Sequence, residues 1–292
     1  MEKAKVYFTK EITSESLIKI YEKLGVNLQG KVGIKISTGE PGGNNYLKPE
    51  LINGLINKLN ATIIECNTAY SGRRNTKIDH LEAAREHGFV NVDIMDGDGE
   101  MKIPLQNGKH LSYDIVGKNL ANYDSIVNLA HFKGHAMGGF GGVLKNQSIG
   151  IASRNGKAYI HSVGITSDPD KCWNYTSNQD GFLESMAEAA KSVADYFKDN
   201  HKQIVYIDVM NNLSVDCDCD SSPENPCMQD IGILASVDPV AVDKACIDLI
   251  WNSTDSGRDH FIERVERQHG RHILEYAESI GLGTREYELI EI

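Results

Sequence analysis

Residues 125–150 read SIVNLAHFKGHAMGGFGGVLKNQSIG. The first six residues, 125–130, form an apolar run that predicts a buried strand. The next twenty, 131–150, include two histidines, two lysines and six glycines but little apolar bulk, so we expect a loop outside the core. Because open α/β sheets bind ligands beyond the carboxyl ends of their strands, this junction predicts both the fold class and the place of a binding site.

Strand-like and helix-like segments alternate along the rest of the chain. Further strands are predicted at 31–37, 61–67, 90–96, 204–209 and 231–236. Helices are predicted at 16–24, 49–59, 76–88, 181–197, 239–251, 261–265 and 273–280. The pattern predicts an α/β fold, with a mostly parallel open sheet and helices on both faces. We treat residues 1–292 as one domain, and the irregular stretch 150–180 leaves open a division into packed lobes 1–165 and 166–292.

Composition restricts the class of partner. Of 292 residues, 40% are hydrophobic and 24% are charged, and the formal net charge is −11. These fractions are ordinary for a globular protein, and the acidic balance disfavours nucleic acid and anionic membranes as partners. We therefore expect a small anionic ligand, a carboxylate or a phosphate, attracted by a local basic pocket. The sequence does not indicate an oligomeric state.

The sequence favours a cytoplasmic location. Its apolar runs fall short of the roughly 20 residues that span a membrane. The N-terminal sequence MEKAKVYFTKE lacks the apolar centre of a signal peptide. We therefore expect the six cysteines to be reduced thiols or metal ligands rather than disulfides.

The basic residues after the 125–130 strand are spaced so that they converge. His131, Lys133 and His135 alternate, and an extended chain would point all three to one face. A helical chain would still place the two histidines together. We expect these three residues and Lys145 to carry the chemistry, since an imidazole titrates near neutral pH.

The glycines of the same stretch predict close contact with a ligand. Gly141 and Gly142 have no side chain, which lets a ligand approach the backbone. Asn146 adds hydrogen-bonding groups. We expect these three residues to bind ligand; a flexible surface loop without function is the alternative.

A second glycine-rich loop, TGEPGGNN at 38–45, follows the strand predicted at 31–37. Its Gly39 and Gly42, and the start of the next helix, are candidates for anion binding. Lys35 would add a positive charge. A plain strand–helix connection is the alternative interpretation.

A third loop, NTAYSGRRNTK at 67–77, also follows a predicted strand. Arg73 is the candidate here, because a guanidinium matches the geometry of carboxylate and phosphate. A solvated loop is the alternative. Three cationic loops at three strand ends favour one shared anion pocket.

Three cysteines lie within eleven residues, at Cys217, Cys219 and Cys227. Three thiols at this spacing are candidates to bind a soft metal ion or an iron–sulfur cluster. Free thiols are the alternative. The neighbouring Asp216 and Asp218 suggest a third interpretation, an oxygen-rich site for a harder ion.

Four segments of the chain resemble the domain of unknown function 362 family, whose members are described as uncharacterised iron–sulfur proteins. They are VGIKISTGEPGG at 32–43, HFKGHAMGGFGGVLKNQSIG at 131–150, VDCDC at 215–219 and DIGILASVDPVAVDKA at 230–245. Many members carry ferredoxin-type cysteine runs, and this chain contains no C-x2-C-x2-C sequence. The resemblance therefore implies that a cluster here would use Cys217, Cys219 and Cys227.

The chain is also distantly similar to the nickel-dependent lactate racemases. In that family a histidine precedes a lysine by ten residues across a glycine turn, as His135 precedes Lys145 here across Gly141-Gly142. The similarity implies a histidine that transfers protons and a lysine that anchors a nickel-pincer cofactor.

These observations lead to three functional hypotheses. The first is a racemase-like or isomerase-like enzyme that transfers a proton on a small carboxylate, with His135 as acid and base and Lys145 stabilising negative charge or holding a cofactor. The second is a non-catalytic iron–sulfur or electron-transfer protein. The third is an anion-binding module without chemistry.

Overall fold

The computed structural model describes residues 3–292. The strands are β1 Ala4–Thr9, β2 Val32–Lys35, β3 Thr62–Glu65, β4 Val92–Ile94, β5 Glu100–Pro104, β6 Tyr113–Gly117, β7 Ser125–His131, β8 Lys133–His135, β9 Gly139–Gly141, β10 Gln203–Met210, β11 Gly232–Ser236 and β12 Tyr287–Glu291. The α-helices are α1 Ser14–Lys23, α2 Pro49–Leu59, α3 Lys77–Glu86, α4 Val143–Ile151, α5 Arg154–His161, α6 Gln179–Asp199, α7 Pro239–Trp251, α8 Arg258–Arg267 and α9 His272–Ser279. Short 3-10 helices cover Lys118–Asn122 and Cys172–Tyr175.

Eight of the strands form one sheet, in the order β12-β1-β11-β10-β7-β2-β3-β4. The strands β10, β7, β2, β3 and β4 are parallel, and β11 runs antiparallel to both of its neighbours. The predicted α/β fold with a mostly parallel sheet is confirmed. Because β7 pairs with β10, the sheet is continuous across residue 165. The remaining strands form two hairpins, β5–β6 and β8–β9.

Helices cover both faces of the sheet. Along β10, Val205, Ile207 and Val209 belong to the core beneath α1 and α2. The alternate residues Tyr206 and Met210 belong to the core beneath α4, α6 and α7. Such strands must be apolar on both sides, which is why they appear in the sequence as continuous apolar runs.

Local signals explain where several helices begin. Thr13 forms a reciprocal capping box with Ser16 at the start of α1. The Asp238 carboxylate accepts the first backbone N–H groups of α7, and Pro239 occupies its first turn. These side chains satisfy backbone groups that the helix itself leaves unpaired.

The expectation that residues 131–150 lie outside the core is wrong. Most of the stretch is buried, and it forms β8, β9 and α4. At Gly139, where φ is +78°, a Cβ atom would lie 2.9 Å from the Cα of Gly270. The glycines therefore allow backbone segments to pack closely, so that low apolar bulk does not imply exposure.

Several elements lack a clear sequence pattern. The adjacent strands β1 and β12, the β5–β6 hairpin, α4 and α5 were not predicted. Among residues 3–292, the helices are all too short or too polar to cross a lipid bilayer.

Candidate active site

A cavity of about 360 Å³ lies beyond the carboxyl ends of β2, β3 and β7. Its polar lining includes cations, imidazoles, carboxylates, hydroxyls, an amide and sulfur atoms, contributed by Lys35, Ser37, Glu65, Cys66, Thr68, Tyr70, Arg74, His131, Lys133, His135, Lys145, Asn146, Lys157, His161, Cys217, Asp218 and Cys219. Apolar residues, among them Met137, Ile149 and Trp173, complete the wall. The cavity is thus at the edge of the sheet where parallel α/β folds bind ligands.

His131 and Lys133 both bind the carboxylate of Asp218. His131 Nδ1 lies 2.8 Å from Asp218 Oδ1, and the ammonium of Lys133 donates to Oδ2 at 2.9 Å. His131 Nε2 faces the carbonyl oxygen of Asn211 at 2.6 Å. Both ring nitrogens of His131 therefore face oxygen acceptors. Burial would raise the pKa of Asp218, but His131 and Lys133 hold it well below its usual range.

The hydrogen bonds of His135 determine its tautomer. Its Nδ1 accepts the backbone N–H groups of Met137 at 3.1 Å and Gly138 at 2.8 Å. The ring proton must therefore be on Nε2, which lies 3.8 Å from Cys219 Sγ. Burial and the positive charge of Lys145 lower the pKa of His135 well below its ordinary value. At neutral pH, His135 is a neutral imidazole that presents an N–H donor.

Lys145 differs from the other lysines of the cavity. Within residues 3–292, no side chain or backbone group forms a hydrogen bond or ion pair with its ammonium. Burial, reinforced by the charge of Lys133, lowers the pKa of Lys145 to about 7. The ammonium and the neutral amine of Lys145 are therefore both accessible near neutral pH.

Lys35, by contrast, is fully paired. Its ammonium binds Glu65 Oε2 at 2.8 Å, the Ile36 carbonyl at 2.5 Å and Asn146 Oδ1 at 3.2 Å. Asn146 also bonds the Lys35 carbonyl through its amide. These two residues therefore hold α4 against β2, and both also line the cavity.

Three ligand-binding candidates from the sequence do not line this cavity. Gly39 packs against Tyr46, and Gly42 approaches the carbonyl of Ser221. Arg73 forms a two-pronged ion pair with Glu86 on the surface and lines a neighbouring cavity of about 470 Å³.

The arginine that reaches the cavity is the next one along the chain. Arg74 is buried, and its Nε donates to Glu40 Oε1 at 2.8 Å. Tyr70 bonds both residues. Because Arg73 and Arg74 are adjacent and identical, the sequence does not distinguish which of the two side chains faces the cavity.

Helix α5 contributes two side chains to the cavity that were not predicted from the sequence. Lys157 and His161 are four residues apart and share one face of that helix, a spacing that is visible in the sequence. His161 Nδ1 lies 2.7 Å from the Lys157 carbonyl; it must donate there, so Nε2 keeps a free lone pair. Burial lowers the pKa of His161 to about 4, against the opposing effect of that hydrogen bond. The indole of Trp173 packs against this imidazole, with ring centres 5.3 Å apart.

The structure brings His135, Cys217 and Cys219 together, with ligand atoms within 4.8 Å of one another. Such a cluster could hold a metal ion. As arranged, it does not offer metal ligands, because the two cysteines form a disulfide rather than the expected reduced thiols, and the metal ligand is the thiolate. His135 Nε2, in addition, carries the ring proton. Metal binding requires reduction of the disulfide and a change of tautomer. Cys227 is not part of this cluster: its thiol bonds the Leu213 carbonyl.

Comparison with known families identifies the family of this chain. The sequence pattern of DUF362, a domain of unknown function, matches residues 32–248. The chain belongs to this family. Every residue that lines the 360 Å³ cavity lies within the matched range, so the cavity is part of the DUF362 domain.

Two solved structures resemble the DUF362 chain distantly. The lactate racemase apoprotein of Thermoanaerobacterium thermosaccharolyticum superposes with a TM-score of 0.44 and 13% identity, covering 84% of this chain and 56% of the racemase. A structural-genomics protein from Thermotoga maritima has a TM-score of 0.45 and 12% identity, covering 91% of this chain and 58% of that protein. The chain thus spans less than two thirds of either. Comparison with curated proteins finds no match.

Proposed function

We propose that the DUF362 cavity binds a small carboxylate and moves a proton to and from the carbon beside it, with Lys145 as the proton carrier. The observation that carries this proposal is the state of Lys145, an amine with a pKa of about 7 and no partner among residues 3–292. A group that populates both protonation states at neutral pH is suited to general acid–base catalysis.

The balance of charge in the cavity favours an anionic ligand. Three cations face carboxylates: Lys35 faces Glu65, Arg74 faces Glu40, and Lys133 faces Asp218. Lys145 and Lys157 have no ion-pair partner within the described chain. Lys157 is buried and Lys145 is half-buried. A cation withdrawn from water without a counter-charge is costly, so a ligand that brings negative charge lowers the free energy of the site.

The backbone favours carboxylate over phosphate. Phosphate sites commonly use the free amides of a glycine loop or a helix start. Here the amides of Met137 and Gly138 donate to His135, and those of Val143 and Leu144 donate to Asp243. Because these backbone amides already have acceptors, a ligand would bind to side-chain donors instead. We propose a small carboxylate, rather than nucleic acid or a membrane, as the partner.

The hydrogen bonds suggest a division of roles between the two principal residues. The Lys145 amine would take the proton from the carbon next to the carboxylate, and the bonding electrons would pass to the carboxylate oxygens. His135 Nε2–H would donate to that developing negative charge. Return of the proton from the Lys145 ammonium completes an exchange. His161 Nε2 is a second proton acceptor in the cavity.

Hydrogen–deuterium exchange tests this proposal. The protein is incubated in D2O near neutral pD with a panel of short 2-hydroxy and 2-amino acids, and loss of the signal of the hydrogen next to the carboxylate is followed by proton NMR. We expect exchange with at least one acid, abolished by Lys145→Met and unaffected by Lys191→Met on the surface of α6. Exchange that survives Lys145→Met would contradict the assignment. If no acid exchanges, but calorimetry detects binding, the site is an anion-binding module.

A second candidate function rests on the cluster of His135, Cys217 and Cys219. We propose that the cluster, once its disulfide is reduced, binds a soft metal ion. Both the iron–sulfur hypothesis and the nickel hypothesis are forms of this proposal. Elemental analysis for Fe, Ni and Zn after anaerobic purification tests it. Metal that is retained by Cys227→Ser but lost in Cys217→Ser supports this function, and metal-free reduced protein removes it.

A further inference from the structure

The start of α4 is held by a carboxylate from another helix. Asp243, on α7, accepts the backbone N–H of Val143 at 2.8 Å through Oδ1 and that of Leu144 at 3.1 Å through Oδ2. These are the two residues that precede Lys145. Asp243 has no exposed surface, so its negative charge is balanced mainly by these amides and the positive end of the helix.

A second buried carboxyl group lies against the first. Asp208, on β10, is also fully buried, and if its carboxyl is ionised the donor it finds within residues 3–292 is the weak thiol of Cys246. Burial, followed by the charge of Asp243, raises the pKa of Asp208 well above its usual value. Burial also raises the pKa of Asp243, to about 6, although a hydrogen bond from Asp208 opposes this effect. Asp208 thus holds the proton and donates it to the Asp243 carboxylate.

Gly142, the residue before α4, is packed closely against Asp243. A Cβ atom on Gly142 would lie 2.3 Å from Asp243 Oδ1 and 3.0 Å from the ring of Phe132. The carboxylate thus occupies the space of a side chain at this position. Helix α4 therefore begins where its first amides meet the Asp243 carboxylate, and Lys145 is in the same first turn.

We propose that Asp243 is the positioning residue for Lys145, and that Asp208 is the protonated partner that keeps Asp243 in place. This inference rests on the proposed role of Lys145. Without Asp243 the first turn of α4 loses its anchor, and the Lys145 amine moves toward water. A better-solvated ammonium holds its proton more tightly, so the proton carrier is lost without any change to Lys145 itself.

The pH dependence of Lys145 acetylation tests this inference. Acetic anhydride is applied from pH 5 to 10, and modification of each lysine is read by mass spectrometry, with Lys191 as the internal reference. We expect a wild-type midpoint near 7 for Lys145 and a rise of at least one pH unit in Asp243→Asn. Asp248→Asn, on the outer face of the same helix, is the matched control and should leave the midpoint unchanged.

Variants of Asp208 test the second half of the inference. Asp208→Asn keeps a donor toward Asp243 and should leave the midpoint unchanged, whereas Asp208→Leu removes the donor and should raise it. If Asp243→Asn does not fold, Gly142→Ala disturbs the same contact from the other side and should raise the midpoint as well.

The outcomes separate this inference from the proposed function. A wild-type midpoint at the ordinary lysine value contradicts the proposed role of Lys145. A wild-type midpoint near 7 that does not move in Asp243→Asn or Gly142→Ala, while the melting temperature falls, shows that Asp243 is only structural and overturns the inference.

Discussion

The ammonium of Lys35 lies 2.8 Å from a carboxylate oxygen of Glu65, and both side chains are more than nine-tenths buried. The pair joins β2 to β3 at the base of the cavity. Burial alone would raise the pKa of Glu65, but the charges of Lys35, His80 and Arg74 outweigh it and lower that pKa to about 2. The floor of the site is therefore an ion-pair network rather than an apolar wall.

Removing one member of this pair should destabilise the protein strongly. Glu65→Gln leaves Lys35 buried without a counter-charge, a change that typically costs about 3–5 kcal/mol of unfolding free energy. Urea denaturation measures the loss. The exposed pair of Lys77 and Asp98 provides the control, since Asp98→Asn should cost less than about 1 kcal/mol. Equal losses in the two variants would refute the argument from burial.

Stability should decrease as the pH is lowered from 6.5 towards 4, because the buried His161 has a pKa lowered from 6.5 to about 4. In this window the unfolded chain binds a proton at His161 and the folded protein does not. The neutral form contributes about 3 kcal/mol above pH 6.5, and this is lost as the pH falls toward 4. His161→Gln should therefore reduce the slope of the unfolding free energy against pH in this window, and the slope that remains belongs to His80 and His135, whose pKa values are also lowered by burial. The exposed His269 serves as control, and a His161→Gln curve as steep as wild type would be the adverse result.

The close contact between the β8–β9 hairpin and the segment before Cys217 should not tolerate a side chain at Gly134. At Gly134 a Cβ atom would lie 2.4 Å from the carbonyl oxygen of Val215, and the Gly134 amide bonds the Ser214 carbonyl. Gly134→Ala should lower the unfolding free energy by about 1–3 kcal/mol through overpacking. Gly72→Ala, with open space around it, should stay near wild type in the same thermal melts.

Ligand entry should be visible in the fluorescence of Trp173, whose indole lines the cavity and is 38% exposed. The chain has two tryptophans, so Trp251→Phe leaves Trp173 as the single reporter. We expect a saturable change in its emission when pyruvate is titrated as a probe carboxylate. Trp173→Phe, which leaves only Trp251, should give no saturable change; the same response in both variants would place the ligand elsewhere.

The sequence predicted six of the eight strands of the central sheet, most of which are buried on both faces. The runs at 125–130 and 204–209 are mostly apolar, and they form β7 and β10. The strands β1 and β12 were missed because they are partly exposed and have no such run. Helix α4 was missed because its partners are remote: Asp243, which receives its first turn, lies a hundred residues further along the chain.

Sequence alone was sufficient for the fold class, the position of the site and most of its cations, because local periodicity and residue chemistry encode them. Only the tertiary structure decided how those residues act. It assigned Arg74 rather than Arg73 to the cavity, separated Cys227 from the other thiols, and added His161 and Lys157. Among residues 3–292, it also left Lys145 without a partner while pairing Lys35 and Lys133. Proton affinity depends on burial and on neighbouring charges, and both arise only when distant segments pack together.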